Sequence, residues 1–351
     1  MFGRFIACCG LLAALALPAS AAPPRGLTIY FIDTEGGAAT LIVTPAGESV
    51  LIDCGNPGKR DAERINKAAR EAGLTTIDKL LITHWHLDHY GGVAHLSQLI
   101  PIRQFYDRGI PEKLEEDAKN FPVLIQAYKK ASGGKSITLK AGDEIPLKQV
   151  EGEPPVKLLC VCASGSTIVD APRAPANAIA AEHVAQAPDP SDNAQSMGFL
   201  LSDGAFRFLD LGDLTWNAEY KLVHPTNKIG LIDVYQSTHH GLEISNNPVL
   251  IKSVEPRVAI FNNGPRKGGH PSVVATLRRV PGLQAIFQMH RNLQSGDQEN
   301  TEPAHIANKE SSDKCAAEGI RLTVAPDSKS YEVTVGHEGK PRRFETRQGG
   351  R

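Results

Sequence analysis

The residues able to do chemistry crowd into one stretch, Thr83-His84-Trp85-His86-Leu87-Asp88-His89-Tyr90-Gly91-Gly92. Three histidines and an aspartate fall within six residues there. His84 and His86 stand two apart, so an extended backbone can send both imidazoles to one side. Imidazole nitrogen together with carboxylate oxygen suits zinc, with manganese or iron(II) as alternatives. Asp88 and His89 are placed to serve a second ion beside the first. Two further groups of the same kind follow, Gly212-Asp213 and Ser237-Thr238-His239-His240-Gly241, and later comes Arg266-Lys267-Gly268-Gly269-His270.

Each of these groups follows an apolar run, so strands must position them. Residues 77–82 read as a buried strand opening into the first cluster, 206–211 as the second arm of a hairpin ending at Gly212-Asp213, and 229–236 as a strand running out into His239-His240. Three short strands, 27–33, 38–44 and 49–53, precede them, and the last ends on Asp53, an acid able to hold a metal-binding histidine in its working tautomer. Helical spacing covers 61–72, 91–100 and 272–279. Residues 258–261, 284–289, 320–324 and 331–335 read as further strands. Residues 111–131 read as a charged helical insertion on the surface, 163–192 as a long loop holding His183, and 337–351 as a flexible tail.

Composition narrows the class. The chain has 351 residues, 41% of them hydrophobic, enough for a sizeable core. Its 38 basic and 39 acidic residues nearly cancel, so no global field favours nucleic acid, although a local basic groove is not excluded. Residues 1–21 read as a signal peptide: Arg4, an apolar run, then Ala19-Ser20-Ala21. The mature domain is therefore expected at 22–336, periplasmic or secreted, with no membrane span. Of the six cysteines, Cys8 and Cys9 fall in the leader. Cys54, Cys160, Cys162 and Cys315 are too few for a disulfide-stapled scaffold, and Cys160 and Cys162 read as small buried residues.

The ordered set of strand-end clusters resembles the metallo-β-lactamase fold. Within it, Phe31 to Thr40, Leu51 to Gly55, Thr83 to Gly92, Asn193 to Ser196, Phe206 to Asp213, Thr238 to Gly241 and Gly269 to Ser272 resemble the extracellular hydrolase domain of ComEC-type DNA-uptake proteins and their free-standing secreted relatives. The resemblance implies an α/β fold, a four-layer αββα sandwich with metals at one edge between the sheets. It implies one or two zinc ions (Mn2+ or Fe2+ as alternatives), with His84 and His86 on the first and Asp88 and His89 on the second. Asp213 would bridge them, and His239, or else its neighbour His240, would supply the last ligand. Asn193 stands where the commonest pattern has a third histidine, and asparagine is a weak zinc ligand.

The implied chemistry is hydrolysis by water whose pKa a divalent ion lowers from about 15.7 towards 7. Asp88 would also orient that water, Asp53 would support the ligands from behind, and His270 would contact substrate or donate a proton. Arg266 and Lys267 are placed to grip a phosphate. The substrate expected is a small molecule or phosphoester, a phosphodiester included. A lactone or other carboxylic ester is the alternative, as is a non-catalytic binding module on the same fold.

Overall fold

The computed structural model describes residues 26–310 and 315–347; the signal segment read at 1–21 lies outside them. Among the described residues the strands form two nine-stranded sheets. The first runs from the C-terminal hairpin through Thr28–Phe31, Thr40–Val43, Ser49–Ile52, Ile77–Leu81 and Ile102–Asp107 to Ile137–Thr138. Its opening strands are an antiparallel meander, and it turns parallel from Ser49–Ile52 onward. The helices Lys59–Glu71 and Val93–Leu99 make the crossovers. The second sheet pairs Val156–Ala163, Gly198–Asp203 and Phe206–Asp210 antiparallel, then adds Val234–Gln236, Val258–Phe261, Ala285–His290 and Ile306–Asn308 in parallel.

Strand alternation sends side chains to two faces, and three apolar clusters mark the resulting layers. Phe31, Ile52 and Leu81 of one sheet meet Phe199, Phe208 and Val234 of the other between the sheets. Phe31 and Phe208 meet edge to face, ring centres 5.8 Å apart. The outer face of the first sheet, Leu41, Leu51 and Leu80, packs under Ile65, Ala69 and Leu96 from the helices. Leu209, Tyr235 and Phe261 pack under Leu250, Val274 and Leu277 on the far side. This is the expected αββα sandwich. None of the helices among the described residues is long and apolar enough to cross a membrane.

Several local expectations need correction. The region read as a surface insertion holds helix Phe121–Ala131, whose Phe121, Ile125 and Tyr128 are buried. Tyr128 meets Trp85 edge to face at 5.0 Å, so one side of this charged helix is core. The segment read as a flexible tail carries an edge strand, Arg342–Glu345, with Phe344 stacked on Tyr331. Pairing to an open strand edge supplies order that the polar composition did not suggest. The strand read over 229–236 shortens to Val234–Gln236. The helix read over 91–100 spans Val93–Leu99, after a separate turn of helix at Leu87–Tyr90; at Gly92 between them a Cβ would lie 2.0 Å from the Cys54 carbonyl oxygen. The 163–192 loop is mainly irregular, with a short strand Ser166–Thr167 and a 3-10 turn Ala178–Glu182. Helices Trp216–Lys221 and Pro248–Val254 carried too short a period to be read. Cys54, Cys160 and Cys162 are buried free thiols, and Cys315 is free and partly buried.

Candidate metal centre

The carboxyl ends of the parallel strands in both sheets open at one edge, the usual place for a ligand in open α/β sheets. Ser49–Ile52 delivers Asp53, Ile77–Leu81 delivers Thr83 to His89, Phe206–Asp210 delivers Asp213, and Val234–Gln236 delivers His239 and His240. Asp213 Oδ2 is the meeting point. It lies 3.2 Å from His89 Nε2, 3.3 Å from His239 Nε2, 3.4 Å from His240 Nε2 and 3.9 Å from His84 Nε2. Asp88 Oδ2 lies 3.4 Å from His240 Nε2 and 3.7 Å from His89 Nε2.

Local backbone geometry explains why these side chains converge. Asp53, His239 and His240 all adopt left-handed φ, 59°, 53° and 54°. Such residues cost about 1–3 kcal/mol each and persist where surrounding structure over-determines them. His239 N–H bonds to the Gly212 carbonyl at 2.9 Å, which ties the two strand ends together. Gly212 is itself left-handed, and a Cβ there would come 2.9 Å from Thr83 Cβ. The glycine of the Gly-Asp pair thus lets Asp213 approach the first cluster.

Behind the cluster sits a layer of orienting groups. Asp53 is 1% exposed and takes three contacts: Thr83 N at 2.8 Å, Thr83 Oγ1 at 2.7 Å and His89 Nδ1 at 2.7 Å. His84 Nδ1 faces Thr83 Oγ1 at 3.1 Å, and His239 Nδ1 faces Ser245 Oγ at 3.2 Å. In each case the inner nitrogen is engaged, leaving Nε2 for the centre. Asp53 thus lies against the inner nitrogen of His89, while Thr83 and Ser245 were not read as part of this layer. A hydroxyl beside a histidine is too common a sequence feature to flag.

Protonation follows burial and charge. Burial, aided by His89 beside it, holds His84 well below the ordinary histidine value, and burial lowers His239 to about 4. Both are neutral imidazoles. Burial opposes charge on Asp88 and Asp213, but the facing imidazoles, and Lys267 for Asp88, outweigh it and hold both carboxyls well below the carboxylate range. Burial likewise opposes charge on His89, but Asp213, Asp53 and Asp88 prevail and raise its proton affinity.

The donor set fits a divalent ion. His84, His89 and Asp213 bring ligand atoms within 4.8 Å of one another, and so do Asp88, His89 and His240. The Nε2 atoms of His84, His89 and His240 are buried without a hydrogen-bond partner, as is Oδ1 of Asn193. Buried polar atoms left unpaired are costly, and several aimed at one place ask for a cation.

The other expected residues scatter. His86 is only partly buried; its ring centre is 4.7 Å from that of His84, and its Nε2 lies 3.4 Å from Glu116. His240, expected as the alternative to His239 for the last ligand, is fully buried and faces both Asp88 and Asp213, while His239 reaches Asp213 alone. His183 stacks flat on Tyr220 at 3.8 Å and faces Asn247. His270 caps helix Pro271–Arg278, its Nδ1 accepting from Ser272 N at 3.3 Å, with Glu243 4.0 Å from its other nitrogen. Arg266 is exposed, and Lys267 pairs with Asp88.

Residues 32–159, which carry the first histidine cluster, match the family model described as the Metallo-beta-lactamase superfamily. The chain carries a metallo-beta-lactamase superfamily domain. Ribonuclease Z of Bradyrhizobium diazoefficiens is 39% identical to it over 73 residues, 21% of this chain and 23% of that protein. Recombination protein 2 of Haemophilus influenzae is 36% identical over 92 residues, 25% of this chain and 11% of that protein. These matches span less than a quarter of either relative's length. Among solved structures, CmlA, a diiron beta-hydroxylase from Streptomyces venezuelae, superposes with a TM-score of 0.42 at 14% identity, over 75% of this chain and 53% of that one. The His/Asp groups able to hold a metal ion sit at the edge of this domain where both sheets end.

Proposed function

We propose that this protein is an exported, metal-dependent hydrolase of phosphoesters, with a phosphodiester as the foremost substrate class. The observation that carries the reading is the convergence of three buried, unpartnered imidazole nitrogens on the carboxylates of Asp213 and Asp88. A divalent ion bound there supplies Lewis acidity and brings the pKa of water towards neutrality.

In this reading the group His84, His89 and Asp213 would hold one ion and the group Asp88, His89 and His240 a second, with His86 beside the first but turned to Glu116. Asp53 engages His89 Nδ1 and so leaves Nε2 as the nitrogen that would face an ion. Thr83 fixes Asp53 with two hydrogen bonds and sets the orientation of the pair. Asp88, partly accessible at the rim, is the residue able to orient the attacking water. His239 is a further imidazole against Asp213, able to complete the ligand set where Asn193 replaces a histidine. The similarity to a ribonuclease Z supports a phosphodiester, and a like similarity to atrochrysone carboxyl ACP thioesterases keeps the carboxylic ester as the alternative. The ComEC-like set of motifs and the N-terminal leader support an extracytoplasmic setting.

The test is metal content of the purified protein with turnover on bis(p-nitrophenyl) phosphate, before and after a chelator and after zinc or manganese is restored. Turnover should vanish with the metal and return with it. Full turnover in the chelated protein refutes the reading. Activity confined to carboxylic esters would keep the metal centre and reject the substrate class.

A further inference from the structure

One cation stands at the rim of the cluster. Lys267 Nζ lies 2.5 Å from Asp88 Oδ2, and the side chain is 40% exposed. Its backbone is held from several sides. Gly264 N bonds to the Lys267 carbonyl at 2.8 Å, and the next glycine but one, Gly269, bonds through its N–H to the His240 carbonyl at 2.9 Å. Across the way is Gly36, where a Cβ would come 3.1 Å from Lys267 Cβ. The lysine stem is thus anchored between the first histidine cluster and the His239-His240 turn, while its ammonium ends at the solvent boundary.

Three other guanidinium groups are committed to carboxylates of their own. Arg60 pairs with Glu35 and Asp61, Arg64 with Asp33 and Glu35, and Arg108 with Asp192. The carboxylate partner of Lys267 is instead one of the proposed metal ligands. Were Asp88 to help hold a dication, that ion pair would weaken, because the carboxylate would be neutralised and the ammonium repelled. A flexible lysine with three donors then has a second anion within reach, the one the substrate brings.

We propose that Lys267 is the substrate's anion anchor, its ammonium passing from Asp88 to a non-bridging phosphate oxygen when the centre is loaded and substrate arrives. The proposal rests on the phosphoester reading above. It separates Lys267 from Arg266, which neighbours it in sequence but lies exposed.

Calorimetric titration of the zinc-loaded protein with inorganic phosphate tests it in wild type, Lys267→Ala and Lys267→Arg, with zinc content measured on each sample. Loss of a charge-assisted hydrogen bond predicts phosphate binding weaker by about tenfold in the alanine variant. The arginine variant, which keeps the charge and donors, should stay within about threefold of wild type. On bis(p-nitrophenyl) phosphate, KM should rise in the alanine variant more than kcat falls. Phosphate affinity unchanged by Lys267→Ala overturns the proposal, as does phosphate that fails to bind wild type. Zinc lost from the alanine variant also overturns it, since Lys267 would then organise the metal site. If wild type binds phosphate through Lys267 but cleaves no phosphoester, the anchor stands and the hydrolase reading falls. If wild type cleaves the diester with KM and phosphate affinity indifferent to Lys267, the hydrolase reading stands and the anchor falls.

Discussion

Asp53→Asn should separate the orienting layer from the ligands themselves. The substitution keeps size and shape at a residue that is 1% exposed. The amide oxygen can still accept from Thr83 N, a bond of 2.8 Å, so the strand end should hold its place. The amide nitrogen then replaces Oδ2, which faces Thr83 Oγ1 and His89 Nδ1, each at 2.7 Å. Thr83 can answer by turning its hydroxyl, but His89 cannot donate to a donor. Its favoured tautomer therefore inverts: Nδ1 accepts, and the proton moves to Nε2. That atom is the one 3.2 Å from Asp213 Oδ2, so the variant presents an N–H where a lone pair is needed. Loss of a carboxylate behind a ligating histidine costs about 10–100-fold in metal affinity, roughly 1.4–2.8 kcal/mol. The assay is zinc competition against a chromogenic chelator, with circular dichroism to establish that the fold is retained. A folded Asp53→Asn that binds zinc as tightly as wild type refutes the argument, and His89 would then owe its orientation to packing alone.

Other expectations follow from the same geometry. Asp213→Ala removes the oxygen on which four imidazoles converge, and it should cost more than the orienting residue does. Metal equivalents should fall and turnover drop by roughly 100-fold or more, as read by elemental analysis and hydrolysis; wild-type values would reduce Asp213 to a turn residue. Glu219 is fully buried, with one oxygen accepting from Asn247 N at 2.7 Å, and burial raises it from 4.5 to about 7. Below about pH 4.5 it is protonated folded or unfolded and costs nothing. Between there and about pH 7 only the unfolded chain gives up the proton, so stability falls, by roughly 3 kcal/mol once both states are ionised. Glu219→Gln should therefore lose less stability than wild type between pH 5 and pH 8 in urea unfolding; parallel losses would show that the carboxyl is ionised at no cost. Mass spectrometry of protein recovered outside the cytoplasm should find a mature chain beginning at Ala22, and an intact Met1 there would rule out cleavage at the expected site.

Local chemistry was readable wherever a residue's role depends on its neighbours in sequence. His84, Asp88 and His89 lie within one loop and one helical turn, so their common destination followed from spacing. Asp53, Asp213 and the His239-His240 pair were each legible as polar residues just past a strand. The αββα layering was implied by the family likeness of the ordered strand-end clusters. What the sequence could not decide was every choice made across the sheets. His239 and His240 are adjacent and chemically alike; only the left-handed turn and its bond to Gly212 aim His240 at both carboxylates. His270 looked poised for chemistry because glycines precede it, yet its own helix claims its nitrogen as a cap. His86 belongs to the motif but turns to Glu116, 30 residues away. The tail looked frayed because edge pairing depends on a partner strand and not on composition. Lys267 acquires its meaning from Asp88, 179 residues earlier in the chain. Spacing sets which side chains share a loop, but the packing of two sheets against each other sets which loops meet, and the charges at this site interact over distances that only that packing brings about.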